Sequence, residues 1–203
     1  MLSGNAGHRW GRRPTDSNTA PAASTNAWLP PVADRAKRNA AGPGVPVRIV
    51  FLGGLGEIGR NCMAIEQGAA DDPDRTVILI DCGLMFPDAN MHGVDLILPD
   101  FTYLRENANR IQALVLTHGH EDHVGAIQYL LRDHDGIGDL RDGPLPIYGA
   151  ALTLGLARNR IEEAGLLPKT DMRKVADGET VDIGSLRVEF IPVTHSVPHA
   201  HAI

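Results

Sequence analysis

Short apolar runs separated by turn residues fill the chain from Val45 onward. Runs of this length, bounded by Gly, Asp, Asn and Pro, predict β-strands rather than helices. The predicted strands read PVRIVFL, NCMAIEQ, TVILIDC, IQALVLT and LPIYGA. A further segment, ETVDIGSLRVEFIPVTH, carries two such runs on either side of Gly184 and Ser185 and therefore predicts a hairpin.

Two longer segments carry apolar residues at helical spacing. VGAIQYLLRD predicts one helix and ALTLGLARNRIEEAGLL predicts a second. The predicted apolar side of the second helix consists of Leu152, Leu156, Ile161 and Leu166. Strands that are followed by helices mixed with further strands are typical of a layered α/β or α+β domain.

The stretch GGLGEIG, residues 53–59, has the G-x-G-x-x-G spacing of a dinucleotide-binding loop. Such a loop requires a helix that opens at the glycines and an acidic residue further on, for which Asp81 is suitably placed. The residues after Gly59 instead alternate in RNCMAIEQG and then turn, which predicts a short strand. We therefore expect no NAD site. We expect the glycines to allow a tight turn of the backbone that has another purpose.

Composition and charge divide the chain into two parts. The 203 residues are 43% hydrophobic and carry a net charge of −6, an ordinary composition for one globular domain. Residues 1–44 contain six Lys/Arg and two Asp, a net charge of +4, so the remainder carries −10. An acidic body argues against a broad nucleic-acid-binding face unless bound cations offset its charge.

Residues 1–44 are rich in Ala, Pro, Ser, Asn, Gly and Arg, with no apolar segment of signal-peptide or membrane-spanning length. We expect a disordered, weakly basic tail there and a domain over residues 45–203. The arginine content also resembles an organelle transit peptide, which we rank second. Cys62 and Cys82 lie in apolar runs and predict buried, reduced thiols of a cytoplasmic protein.

A dense group of metal-binding residue types follows the run IQALVLT. The sequence THGHEDHVG holds His118, His120, Asp122 and His123. Imidazole suits zinc and similar transition metals, and carboxylate adds charge neutralisation. Residues two apart on an extended loop point the same way, so His118 and His120 can bind one ion, while the turn into a helix aims Asp122 and His123 at a second. The spacing predicts a two-metal site that can share a water and hold a phosphoryl centre.

The pattern H-x-H-x-D-H after an apolar strand resembles the signature of the metallo-β-lactamase superfamily. Several segments are similar, in order and spacing, to the N-terminal part of the ribonuclease J family: GGLGEIGRN, DCGLMFPD, VDLILPDFTYL, LTHGHEDHVGAI, YGAALTLGL and VTHSVP. The resemblance covers about residues 46–203. It implies the αββα sandwich of the superfamily, incomplete in this chain, with the β-CASP and C-terminal domains of the family absent.

The resemblance also implies roles for individual residues. The implied zinc ligands are His118, His120 and His195 for one ion and Asp122 and His123 for the other. Manganese and magnesium are the alternative metals. Asp122 would also orient the attacking water or accept its proton, and Asp81 would orient a histidine from outside the metal shell. A simple turn-forming role for Asp81 stays open.

The implied activity is zinc-dependent hydrolysis of RNA phosphodiesters in RNA processing and decay. A metal-bound water, whose pKa falls from about 15.7 to about 7, would attack phosphorus. The resemblance implies 5′-to-3′ exonuclease and endonuclease action on 5′-monophosphate RNA in the cytoplasm, by a homo-oligomer in the full-length protein and without a membrane partner. Spacing alone implies only metal-dependent hydrolysis. The alternatives are another hydrolase of this fold, acting on a thioester, lactam or lactone, and a non-catalytic product, either an interaction module or a pseudogene fragment.

The chain departs from the family pattern in two places. The family continues through a metal-bridging aspartate and the β-CASP domain, so we expect this chain to be the amino-terminal part of a longer protein and to fold poorly or lose metal when expressed alone. In SVPHAHAI, His199 stands where the family usually has Asp, and His201 follows. We expect both to be exposed histidines rather than extra metal ligands.

Overall fold

The structure is a computed structural model that describes residues 44–69 and 71–203. The predicted tail lies outside these residues apart from Gly44, so its disorder and the domain boundary stay predictions. Six strands form one mixed sheet in the order β1-β2-β3-β4-β5-β6. Their bounds are β1 Val47–Gly53, β2 Cys62–Gln67, β3 Thr76–Ile80, β4 Ile111–Val115, β5 Leu145–Gly149 and β6 Thr170–Lys174. Strands β1 to β3 pair antiparallel, and β3 to β6 pair parallel.

Helices connect the parallel strands, and two small antiparallel sheets follow them. The helices are α1 Thr102–Glu106, α2 Glu121–Val124, α3 Ile127–Leu130 and α4 Ala151–Glu163, with 3₁₀ turns at Ala108–Arg110 and Leu167–Lys169. The small sheets pair β7 Thr180–Ile183 with β8 Leu186–Glu189, and β9 Ile191–Val193 with β10 Ala200–Ala202. None of the helices in the described part of the chain is long and apolar enough to cross a membrane.

Both faces of the central sheet are covered, because successive residues of β3 point to opposite faces and every one is buried. On one face the sheet packs against helices, through residues that include Val77, Leu79, Leu114, Leu104, Ile127 and Ile161. On the other face it packs against the β7–β8 hairpin, through Ile78, Ile80, Ile183, Val188 and Phe190. The described residues thus form a helix layer, a sheet and a hairpin layer, which confirms the predicted mixed α/β class.

The strand predictions are confirmed wherever an apolar run stands between turn residues. All five predicted strands are present, and the predicted hairpin turns at Gly184 and Ser185. The segment after Gly59 forms β2, as predicted, and not the helix of a dinucleotide-binding unit. Strand β6 was not predicted, because its sequence TDMRK is polar and lies at the edge of the sheet, where one face needs little burial.

The helix predictions hold less well. The predicted helix VGAIQYLLRD is interrupted, because the N–H of Ala126 donates to Cys82 O instead of continuing the ladder from α2. Helix α4 is confirmed, and its predicted apolar side is half right, because Ile161 is buried and Leu166 packs against the core. Leu152 and Leu156 are 40% and 41% exposed, whereas Thr153, Leu154, Ala157 and Ile161 face the core. Helical periodicity predicts an apolar stripe on α4, but the packing of the small Ala157 and its neighbours against the sheet determines which side is buried.

Two further features concern the cysteines and the edge strand β1. Cys62 and Cys82 are buried free thiols, as predicted. Strand β1 is an edge strand, and its outward-facing Val47, Ile49 and Phe51 are 57%, 54% and 54% exposed. The described chain therefore has an apolar face on its border strand.

Candidate metal centre

The candidate site begins where the parallel strands β3 and β4 end side by side. Asp81 follows β3, and Thr117 comes shortly after β4. Asp81 has a φ of 59°, so the chain turns sharply at this residue. The Thr117 backbone N–H donates to Asp81 Oδ1 at 2.8 Å, and its hydroxyl donates to Oδ2 at 2.7 Å. These bonds fix the start of the histidine loop at the carboxyl ends of the strands, where open α/β sheets bind ligands.

Three imidazoles converge at one point of this loop. His118 Nε2 lies 3.0 Å from His120 Nδ1 and 3.1 Å from His195 Nε2. The ligand atoms of all three residues lie within 4.8 Å of one another. Nitrogens bound to one tetrahedral zinc at about 2.0–2.1 Å would be roughly 3.3 Å apart. The three side chains therefore fit a zinc-sized ion with little movement.

Two of these imidazoles are also held by hydroxyl groups. Thr117 Oγ1 lies 3.0 Å from His118 Nδ1, and Ser196 Oγ lies 3.2 Å from His120 Nε2. Because the Thr117 hydroxyl proton goes to Asp81, Thr117 accepts the His118 Nδ1–H and leaves Nε2 with its lone pair toward the cluster. His195 and Ser196 both lie in the turn between β9 and β10.

The electrostatic environment keeps His118 neutral. Its side chain is buried, and burial, followed by the like charges of the three neighbouring histidines, lowers the pKa of His118 to about 4. A proton therefore does not compete for the His118 lone pair near neutral pH. The cluster is built to accept a cation, because its central nitrogen is desolvated, uncharged and oriented.

Asp122 and His123, predicted as ligands of a second ion, lie together in helix α2. His123 Nε2 is 3.4 Å from Asp122 Oδ2, and the His123 ring centroid is 4.0 Å from that of His118. On its other side His123 Nδ1 is 2.7 Å from Asp81 Oδ2. Among the described residues, no third His, Cys, Asp or Glu completes a ligand set with this pair.

The pKa of His123 moves in the opposite direction from that of His118. Burial lowers the pKa of His123, but the hydrogen bond and charge of Asp81, with the charge of Asp122, outweigh burial and raise it above its ordinary value. Asp81 thus contacts both a histidine ring and the loop, and its role as an orienting residue stays a prediction.

Sequence reasoning misses one residue that contacts both members of this pair. Asn61 Nδ2 lies 3.0 Å from Asp122 O, 3.2 Å from Asp122 Oδ2 and 3.2 Å from His123 Nε2. The only local signal is a polar amide placed between a glycine-rich loop and an apolar strand. Thr117 and Ser196 are also missed, although each directly neighbours a predicted ligand in the sequence.

The two carboxyl-terminal histidines stand apart from the converging cluster. The expectation that His201 is exposed is wrong: its side chain is 0% exposed, and its Nε2 lies 2.9 Å from Asp177 Oδ1. Its backbone N–H donates to Thr117 O, because β10 packs against the start of the histidine loop. His199 is exposed, as expected, with Nδ1 3.7 Å from Asp177 Oδ1.

The chain is similar to proteins of known family. Residues 76–202 match the family model described as a beta-lactamase superfamily domain. A solved metallo-beta-lactamase fold protein from Bacillus subtilis is 19% identical, with a TM-score of 0.45, over 75% of this chain and 55% of that one.

Curated relatives are ribonucleases. Ribonuclease J of Synechocystis sp. is 43% identical over 159 residues, which are 77% of this chain and 22% of that protein. Ribonuclease J of Thermus thermophilus is 40% identical over 159 residues, 77% of this chain and 26% of that protein. Ribonuclease J2 of Bacillus subtilis is 38% identical over 152 residues, 75% of this chain and 25% of that protein. The chain thus spans about a quarter of the length of these relatives. It belongs to the beta-lactamase superfamily, and the predicted resemblance to the ribonuclease J family is confirmed.

Proposed function

We propose that this centre binds two zinc ions and hydrolyses RNA phosphodiesters, as part of a ribonuclease of the J type. The observation that carries the proposal is the convergence of His118, His120 and His195 beside the pair Asp122 and His123. The names of the relatives supply the substrate class, since each is called a ribonuclease. The finer activity proposed is 5′-to-3′ exonuclease and endonuclease action on 5′-monophosphate RNA.

The negative net charge of residues 45–203 supports the proposal that the centre binds cations. Residues 45–203 carry a net charge of −10, which repels the phosphates of RNA. Divalent ions at the histidine loop would offset this charge where the substrate binds. The three-imidazole half favours zinc, while the carboxylate half also suits manganese or magnesium.

The chain's own residues divide the work of the reaction. Bound zinc supplies Lewis acidity and a water of lowered pKa. His118, neutral near pH 7 because its pKa is about 4, holds its ion through Nε2 together with His120 and His195. Asp122 keeps an oxygen free of Asn61, and this carboxylate orients the attacking water or accepts its proton.

We also place the protein in the cytoplasm. Cys62 and Cys82 are both buried and unpaired with a disulfide. Such thiols are typical of a reducing compartment.

The proposed function is tested on the protein at the length at which its own cells produce it. We expect the zinc-loaded protein to release mononucleotides from a 5′-monophosphorylated oligoribonucleotide, and His118→Ala to abolish this release. His134→Ala is the matched control, because the His134 side chain is 91% exposed and its Nδ1 lies 3.7 Å from Asp139 Oδ2. A wild-type protein that leaves RNA intact, or a His118→Ala protein as active as the control, would contradict the proposal.

A further inference from the structure

We infer that Asn61 is a positioning residue for the second metal ion, and that its side-chain amide holds Asp122 and His123 so that both face one point. The inference rests on the proposed two-zinc function. Asn61 Nδ2 lies 3.2 Å from both Asp122 Oδ2 and His123 Nε2. The amide thus lies beside the two atoms that the second ion would take, and by holding Asp122 it keeps them together before an ion arrives.

The tautomer of His123 agrees with this role. Asp81 Oδ2 lies 2.7 Å from His123 Nδ1, and a carboxylate oxygen accepts hydrogen bonds, so Nδ1 carries the proton. The two hydrogens of Asn61 Nδ2 go to Asp122 O and Oδ2, so the lone pair of His123 Nε2 stays free. The same lone pair is the one that a metal ion requires. Asp81 therefore holds the ring in its metal-binding form, while Asn61 holds the carboxylate of Asp122 beside it.

Asn61 also replaces a missing helical hydrogen bond. In a continuous helix the Asp122 carbonyl would accept the N–H of Ala126, but that N–H donates to Cys82 O. The Asp122 carbonyl instead accepts the Asn61 backbone N–H at 3.0 Å and its Nδ2 at 3.0 Å. Asn61 therefore fixes the backbone of the metal-binding turn as well as its side chains.

The glycines around Asn61 are required by this close approach. The Gly83 N–H donates to Asn61 O at 2.9 Å, and a Cβ on Gly83 would lie 1.6 Å from Asp122 O. Gly54 has a φ of 81°, and a Cβ there would lie 2.5 Å from Asn61 Oδ1. Of the G-x-G-x-x-G glycines, Gly54 thus lies against the amide of Asn61, whereas Gly59 approaches Met85.

The test compares zinc binding by Asn61→Ala with that of the wild-type protein, by calorimetric titration with ions counted by native mass spectrometry. We expect the first zinc to bind unchanged and the second to bind about 10- to 100-fold more weakly, the usual effect of removing a residue that orients a ligand. Asn61→Leu, which fills the space without donors, should show the same selective loss if the alanine variant folds poorly.

Asn107→Ala is the matched control. Asn107 is buried, whereas Asn61 is half-buried; its Nδ2 donates to Tyr103 O at 2.8 Å, and none of its hydrogen bonds reaches the metal centre. We expect this variant to lose stability and to bind both ions normally. Its normal stoichiometry would separate a positioning role of Asn61 from a general role in folding.

The outcomes that overturn the inference are distinct from failure of the proposed function. Equal weakening of both ions by Asn61→Ala, or no weakening, would overturn it, as would a wild-type protein that binds one ion only. A wild-type protein that binds no zinc and leaves RNA intact would defeat the proposed function itself.

Discussion

The two halves of the candidate metal centre are built by different means. His118, His120 and His195 come from two segments far apart in sequence, and their rings converge with little support from carboxylates. Asp122 and His123 are adjacent and share one helical turn, and other groups hold them on every side. The first half depends on the meeting of distant chain segments, whereas the second depends on hydrogen bonds to neighbours that bind no metal.

The same contrast appears in their charge. The pKa of His118 is lowered to about 4 by burial and then by its histidine neighbours. The pKa of His123 is raised, since burial is outweighed by its contacts with Asp81 and the charge of Asp122. Protons therefore compete with a cation for His123 at a higher pH than they do for His118.

Removing one ligand from each half should produce the largest difference. We expect His118→Ala to weaken the first zinc by about 100-fold or more, because it removes the central nitrogen of the cluster. His123→Ala should leave the first zinc bound and remove only the second. Calorimetric zinc titration of the two variants checks this, and loss of both ions from His123→Ala would show that the halves are not separate.

Gly83→Ala should disturb the second half without replacing any ligand. The added Cβ would meet Asp122 O, so the turn that carries Asp122 must move. Overpacking of this kind costs about 1–3 kcal/mol of stability. We expect a lower melting temperature and a weakened second zinc, measured by thermal unfolding and metal counting. Gly155→Ala is the control, since a Cβ there meets no atom within 4 Å.

Asp81→Asn tests the electrostatic difference between the two halves. The substitution removes the charge that faces His123 Nδ1, so the pKa of His123 should fall toward or below its ordinary value. The second zinc should bind about tenfold more weakly, because the ring loses its orienting acceptor. An NMR titration of the His123 ring, together with zinc titration, measures both effects. An unchanged His123 pKa would show that Asp81 does not act on this ring.

Mild acid should produce the smallest difference in zinc binding between the two halves. Because the pKa of His123 is raised, protons compete with the second ion at a higher pH than they compete at His118. As pH falls from about 7.5 to about 6, we expect the second zinc to weaken a few-fold while the first stays bound. Metal counts across this range check the order of release, and simultaneous loss of both ions would contradict it.

The sequence predicts those parts of the fold and site that depend on local pattern. The strands follow from apolar runs between turn residues, and His118 and His120 share a loop whose spacing already indicates metal binding. His195 is different, because only the β9–β10 turn brings it to the cluster. Residue spacing near His195 does not predict that contact. The prediction of His195 as a metal ligand rests on the family resemblance.

Contacts between distant segments explain most of what pattern reasoning misses. Asn61 reaches Asp122 across 61 positions, and an isolated amide carries no metal-binding signal of its own. His201 carries no signal of burial either, since its neighbours are histidine and small residues and its partner Asp177 lies in another loop. Leu152 and Leu156 fail for a related reason, because only the sheet decides which side of α4 is covered.

The border strand β1 has a consequence for how the protein behaves in solution. Its outward apolar side chains alternate along seven residues that include no proline. Such a segment can pair with the same segment of another chain, with Arg48 as its one charged residue. We expect concentrated samples of this chain to self-associate through β1. The edge strand β1 would then limit the solubility of the protein, while its candidate metal centre lies elsewhere, at the ends of β3 and β4.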